Sequence, residues 1–479
     1  MKQGMNVKGL VFLVMSALPG GAGILPAVSG GQDGIQKGVV IQSLPTQADP
    51  AQTYALFLPA EYGSRTKWPV LICFDPGARG YLPVECFRQA AENYGYIVAG
   101  SNNSRNGPIT PSYRAAQAVL YDIAERFSVD ENRIYMTGFS GGARVACSLA
   151  HQMKGRVAGV IGCAAGFSED LDPSADTPFA FCSTVGYEDY NFSEMRITDR
   201  KLEKLGLPHQ ILYFEGGHSW PPPLVAMEAI EWMETQAMKS GRRPNDLMLA
   251  RTLATKMIAK AEREEAERSL PDAVRTCQNL VQGLRGLIDV GSAEDRAASL
   301  VANKEYRRQA KRERDLEDQE LRKMGDIRGL IAGLQDQEQR VAVFHGLREL
   351  MADLEGRAKD TRNRDSARQA RRLLDYVSIT AFYAAEPLID AKQYSLAALY
   401  CEIQAEVHPK SAPVQIRLAR ALAHARDKKK TLAALKRAAE NGYSNFVGLE
   451  GDPAFDFLRP DQEFRQLVET VQANHRKAQ

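Results

Sequence analysis

The sequence predicts an α/β domain built on a doubly wound, mostly parallel sheet, followed by an all-α helical-repeat domain. Three observations carry this. Between residues 38 and 240, short β-type runs alternate with helix-type segments, the pattern of strands joined by crossover helices. One run, Pro69-Val70-Leu71-Ile72-Cys73-Phe74, is apolar throughout, as a strand covered on both faces must be. Beyond the polar turn Gly241-Arg242-Arg243-Pro244-Asn245 strand signals nearly vanish and amphipathic helical spacing takes over.

The elements follow in order. Residues 1–29 read as an export signal. Lys2 and Lys8 precede the apolar stretch 9–18, and Ala27-Val28-Ser29 offers a cleavage site, with Ala22 an earlier one. An uncleaved anchor is the alternative, although the run falls short of the roughly 20 residues a bilayer span takes. Residues 38–240 form the α/β domain. Its strands are expected at 39–41, 53–58, 69–74, 96–99, 133–137, 157–161, 179–182 and 210–214. Its helices are expected at 84–94, at 112–127, after Ser140, and at 223–238. Residues 246–374 form a charged helical region with long helices at 293–323 and 328–356. Residues 375–472 contain helices at 384–391, 396–407, 414–425 and 431–441, separated by turns such as Lys392-Gln393-Tyr394 and Arg426-Asp427-Lys428.

Bulk composition narrows the function classes. The 479 residues are 44% hydrophobic and 25% charged, with a formal net charge of +2. That balance gives no case for a nucleic-acid partner or an anionic membrane surface. No segment after the N-terminal one reads as a membrane span. The seven cysteines are odd in number and fit no zinc spacing, so no metal is expected. Cys73 and Cys182 fall inside strand-like runs, where a free thiol packs as a small hydrophobe.

The chemistry centres on Arg133-Ile134-Tyr135-Met136-Thr137-Gly138-Phe139-Ser140-Gly141-Gly142-Ala143. A β-type run leads into Gly-x-Ser-x-Gly and then into a helix-type run. Such a turn exposes a serine at the end of a strand, with the next helix N-terminus pointing at it. Gly138 and Gly142 let strand and helix approach closely. A serine hydroxyl needs a base, and the base needs an acid to fix its tautomer. Downstream in the α/β region stand His151, His209 and His218. His151 falls within a helix and His209 starts a strand. His218, in Glu215-Gly216-Gly217-His218-Ser219-Trp220, follows a strand in a glycine-rich loop, where a base should sit. The acid should lie in the exit loop Gly186-Tyr187-Glu188-Asp189-Tyr190. Asp189 is the first choice there and Glu188 the second. Oxyanion donors are expected from the Gly141 N–H and from the turn Asp75-Pro76-Gly77-Ala78-Arg79-Gly80, at Gly77, Ala78 or Arg79. Phe139, Tyr187, Tyr190 and Trp220 are candidate pocket residues, equally readable as packing. The stretch 164–178 is too short for a substantial lid.

These motifs resemble the α/β-hydrolase superfamily. The branch they most resemble is the polyhydroxybutyrate depolymerase, feruloyl esterase and dienelactone-hydrolase-like one. The carrying residues are Val129-Asp130-Glu131-Asn132-Arg133-Ile134-Tyr135 leading into Gly138–Gly142, and Gly217-His218-Ser219-Trp220. The resemblance implies Ser140 as nucleophile, Asp189 as acid, His218 as base and an exported ester hydrolase with no cofactor. The chain departs from dienelactone hydrolases proper, which use cysteine, and lacks the His-Gly-Gly-Gly oxyanion motif of lipases. The helical segments, with Ala397-Ala398 and Ala433-Ala434 at similar places and a tail at 449–459 leading to Phe464, are similar to tetratricopeptide repeats. That likeness implies a surface for a protein partner, the alternative being a self-packing domain or dimer contact. The implied substrate is a small ester or the end of a polymeric one. The competing reading is a non-catalytic hydrolase-fold scaffold acting through the helical repeats. A peptidase is a third, because the same triad cleaves amides.

Overall fold

A computed structural model describes residues 34–168 and 170–478. The export-signal reading of residues 1–29 lies outside the described residues. Eight strands, β1 (Val40–Pro45), β2 (Thr53–Phe57), β3 (Trp68–Phe74), β4 (Ile97–Ser101), β5 (Val129–Phe139), β6 (Val157–Cys163), β7 (Ala180–Gly186) and β8 (His209–Phe214), form one sheet. Their order is β1-β2-β4-β3-β5-β6-β7-β8. β2 pairs antiparallel with β1 and β4, and the other neighbours are parallel. This order, with β2 alone reversed, is that of the α/β-hydrolase fold.

Alternation along the strands explains why helices cover both faces. Leu56, Val70, Ile72, Ile134, Met136, Val160 and Ile211 point to one face. There they pack on α2 (Ile109–Arg126), α3 (Gly141–Gln152) and α4 (Phe192–Lys204) through Val119, Ile123, Leu149 and Met195. Their neighbours Ala55, Phe57, Leu71, Cys73, Tyr135, Ile161, Cys182 and Leu212 point the other way. These pack on α1 (Tyr81–Tyr94) and α5 (Pro223–Lys239) through Val84, Phe87, Ile230 and Met233. Apolar side chains on both faces make β3 a continuous apolar run from Pro69 to Phe74. Gly95 ends α1 in the left-handed conformation, φ +70°, with its N–H bonded to Ala91 O.

Helices follow the sheet. α6 (Leu247–Ala266) starts where the Asp246 side chain accepts the Leu249 N–H at 2.9 Å. α6 and α7 (Leu270–Leu284) pack back on the sheet unit through Lys256–Glu231 (2.6 Å), Lys260–Glu228 (2.8 Å) and Tyr187 Oη to Asp272 Oδ1 (3.0 Å). Burial and the Asp272 carboxylate push the Tyr187 phenol far above its usual range.

The long helix expected at 293–323 is instead two. α8 (Gly291–Ala302) stops at Asn303, whose backbone is extended. The Asn303 side chain then caps α9 (Lys304–Gly333) by accepting the Glu305 N–H at 2.8 Å. The break expected at 324–327 is absent, because Ile327, Ile331 and the following Leu334 carry one buried stripe across it. α10 (Arg340–Ala358) follows. The segment expected at 384–391 is the end of the longer α11 (Arg364–Asp390), whose stripe Leu373, Val377, Ala381, Ala385 and Leu388 runs unbroken up to Pro387 and beyond.

Compact packing divides the chain within α9, between Arg314 and Asp315. In the C-terminal unit, α11, α12 (Tyr394–Val407), α13 (Ala412–His424) and α14 (Lys428–Glu440) pack in succession, with Ala397, Ala398 and Ala434 buried where helices meet. Phe455 and Phe464 from the tail enter the same core. A buried ion pair pins this unit, Arg372 Nε lying 2.9 and 3.0 Å from the two oxygens of Glu320. None of the seven cysteines is paired. Among the described residues no helix is long and apolar enough to cross a membrane.

Candidate active site

β5 delivers the chain to Ser140, whose N–H donates to Cys163 O of β6 at 2.9 Å. The serine backbone has φ +52° and ψ −122°, a conformation that costs a side-chain-bearing residue about 1–3 kcal/mol and persists only where packing enforces it. The enforcement is visible. A Cβ on Gly138 would lie 2.1 Å from Gly142 O, and a Cβ on Gly142 would lie 2.1 Å from Phe74 O. Both obstacles are backbone atoms, so they cannot rotate away. Gly142→Ala is therefore expected to destabilise the protein by roughly 3 kcal/mol, read as a lowered denaturant midpoint.

The next two loops cross at the same edge of the sheet. Tyr187 N–H donates to Phe214 O and Glu188 N–H to Gly216 O, both at 2.9 Å. A Cβ on Gly186 would lie 2.3 Å from Gly216 O, so only glycine permits this crossing. It brings Asp189 and His218 together, with His218 Nδ1 3.0 Å from Asp189 Oδ1. The same oxygen accepts the Asn191 N–H at 2.8 Å, and Asn191 Nδ2 donates to Ala164 O at 2.8 Å. Asp189 is fully buried. A carboxylate only accepts, so Nδ1 carries a proton, and Nε2 is the ring nitrogen left to act as a base. Phe139 and Tyr190 lie against the imidazole, at ring-centroid distances of 4.6 and 4.2 Å. Among the described residues the carboxylate bonded to His218 is that of Asp189, and Glu188 is half-buried beside it in the chain. Ser140 Oγ and His218 Nε2 are not hydrogen-bonded to each other.

In the turn after β3, two of the three expected second donors already have partners. The Gly77 N–H donates to Asp75 Oδ1 at 2.8 Å and the Ala78 N–H to Asp75 O at 3.1 Å. Both are spent inside the turn, because Ala78 adopts φ +59° and the chain folds back on Asp75. Among the described residues the N–H groups of Arg79 and Gly141 have no hydrogen-bond partner. Arg105 bridges Gly77, and the Asn106 N–H donates to Pro76 O at 2.9 Å. The Asn106 carboxamide lies against Gly141, where a Cβ would be 1.9 Å from its Oδ1. Sequence reading gave no signal for Asn106, which lies in a polar loop far from the motif.

Three of the four candidate pocket residues meet here. Phe139 and Trp220 pack at 5.7 Å, next to His218. Tyr187 faces elsewhere, stacked on Tyr213 at 5.5 Å with its hydroxyl on Asp272. Tyr190 is the tyrosine against the imidazole. Cys163, whose carbonyl receives the Ser140 N–H, is no rival nucleophile, since burial pushes its thiol up to about 11.

No family model matches the chain, and no curated protein matches it. Among solved structures it is similar to an S-formylglutathione hydrolase from Staphylococcus aureus, at 17% identity over 44% of this chain and 99% of that one, with a TM-score of 0.33. It is also similar to an inhibited esterase B from Lactobacillus rhamnosis, at 15% identity over 43% of this chain and 89% of that one, TM-score 0.36. A ferulic acid esterase is similar at 15% identity over 39% of this chain and 96% of that one, TM-score 0.32.

Proposed function

We propose that this chain is a serine hydrolase of carboxylic esters. The observation that carries the reading is the buried Asp189 bonded to His218 at 3.0 Å, on a loop crossing that adjoins the strained Ser140. In this mechanism His218 Nε2 takes the proton as Ser140 Oγ attacks the ester carbonyl. Asp189 stabilises the imidazolium. The unpartnered N–H groups of Gly141 and Arg79 receive the developing oxyanion. Collapse expels the alcohol, which takes the proton from His218. Water activated by the same imidazole then releases the acid and restores Ser140. Phe139, Tyr190 and Trp220 form the wall that contacts the substrate. Soluble esters and accessible ends of polyesters suit a site with so short a 164–178 segment. Lys2, Lys8 and the apolar 9–18 stretch support export, and the successive packing of α11–α14 supports a partner-binding role like that of tetratricopeptide repeats.

A fluorophosphonate probe followed by peptide mass mapping tests the reading. The label is expected on Ser140 alone, and labelling is expected to stop hydrolysis of p-nitrophenyl acetate and butyrate. A protein that neither labels nor hydrolyses would instead be a binding scaffold.

A further inference from the structure

We infer that Asp75 is a positioning residue that locks the oxyanion turn and the histidine loop into one unit; this rests on the hydrolase reading of Ser140. Asp75 is the first residue beyond β3, and its carboxylate is fully buried. Four donors reach it. Oδ1 accepts the Gly77 N–H at 2.8 Å and Arg79 Nε at 2.9 Å. Oδ2 accepts Arg79 Nη2 at 3.2 Å and the Trp220 indole N–H at 2.9 Å. The first three donors set the turn that carries the Arg79 N–H. The fourth comes from the residue two places beyond His218.

The tie continues by packing. The Trp220 ring lies against Phe87 of α1 at 6.4 Å and against Phe139 at 5.7 Å, and Phe139 lies against the His218 ring at 4.6 Å. One carboxylate thus sets the turn bearing an oxyanion donor and the aromatic wall that backs the base. Its charge also holds the Arg79 guanidinium, whose pKa the Asp75 hydrogen bond raises and whose outer face stays half-exposed. The chemistry requires a carboxylate. An asparagine has one accepting oxygen and one NH2 that donates. It could hold only one pair of donors and would turn its own N–H groups against the other.

The test uses Asp75→Asn and Trp220→Phe in the full chain. Each is read by steady-state kinetics on p-nitrophenyl esters, by amide hydrogen exchange at 75–80 and 216–221, and by thermal midpoint. Asp75→Asn is expected to lower kcat about tenfold to a hundredfold with KM nearly unchanged, because misplaced donors act on the transition state. Exchange should rise in both loops. Trp220→Phe keeps the ring packing and removes a single donor. It should raise exchange at 216–221 alone and lower kcat by a smaller factor. Asp75→Asn with wild-type kcat and wild-type exchange sinks the inference and leaves the hydrolase reading standing. So does a kcat loss accounted for by the folded fraction alone. A Trp220→Phe protein with undisturbed exchange breaks the proposed tie even if Asp75→Asn fails to fold. Wild-type protein without Ser140-dependent turnover sinks the hydrolase reading, and the positioning role with it.

Discussion

Ser140→Ala is expected to lower kcat by about 10⁵-fold or more, roughly 7 kcal/mol of barrier, while the thermal midpoint hardly moves. The two halves of this expectation have separate causes. The loss of rate follows because Ser140 is the hydroxyl that the turn after β5 presents beside the Asp189–His218 pair, so the covalent route closes. Stability is spared because Ser140 Oγ makes no hydrogen bond among the described residues, and alanine keeps the Cβ. The backbone adds a sharper form of the test. At φ +52° and ψ −122° any side chain is strained, and glycine is not. Ser140→Gly should therefore be as inactive as Ser140→Ala and more stable than wild type by about 1 kcal/mol. A protein that gains stability when its serine is removed holds that serine for a reason other than folding. Kinetics on p-nitrophenyl butyrate and denaturant unfolding of the three proteins check both halves.

The parts legible in the sequence are those where local pattern and tertiary environment agree. β3, β4 and β7 are buried on both faces, so their apolar runs needed no partner to be recognised. The turn at Ser140 was readable because glycine is the only residue that fits at Gly138 and Gly142, and the backbone contacts at 2.1 Å show why. His218 and Asp189 were reachable because each follows a parallel strand, and loops after parallel strands converge on one edge of the sheet.

The charged helices behaved differently. The expected helices 293–323 and 328–356 left a gap at 324–327, yet the buried stripe through Ile327, Ile331 and Leu334 carries one helix across it and outweighs the poor helix former Gly325. The oxyanion turn was harder still. Sequence shows glycines that allow N–H groups to turn inward, but not where those groups go. The Asp75 carboxylate takes one and the Asp75 carbonyl the other, leaving Arg79. Trp220 reaches Asp75 across 145 positions of chain, a separation no local pattern reports. Tyr187 and Tyr190 looked equivalent in the exit loop. A turn at Asp189 sends the first to Asp272 and the second to His218.

Asp189→Asn is expected to lower kcat by about 10²–10³-fold, with Glu188→Gln within about twofold of wild type. Adjacent carboxylates in one loop are indistinguishable by pattern, and geometry separates them. Asp189 is buried and bonded to Nδ1, whereas Glu188 is half-buried and not bonded to the ring. The form of the loss follows from the neighbours. Asp189 Oδ1 already accepts the Asn191 N–H at 2.8 Å, so an asparagine here keeps its oxygen on that side and still accepts from Nδ1. Its NH2 then occupies the Oδ2 position, which has no hydrogen-bond partner among the described residues. The tautomer survives and the negative charge does not. The defect should therefore fall on kcat, where the imidazolium forms, and leave KM nearly unchanged. NMR of the His218 ring should show the same tautomer in wild type and Asp189→Asn. A tautomer reversal would mean that the Asn191 N–H does not control the orientation of residue 189. A large loss in Glu188→Gln, with Asp189→Asn active, would move the acid one residue along the loop and require it to reach the ring from a half-exposed position, where water competes for every bond it makes.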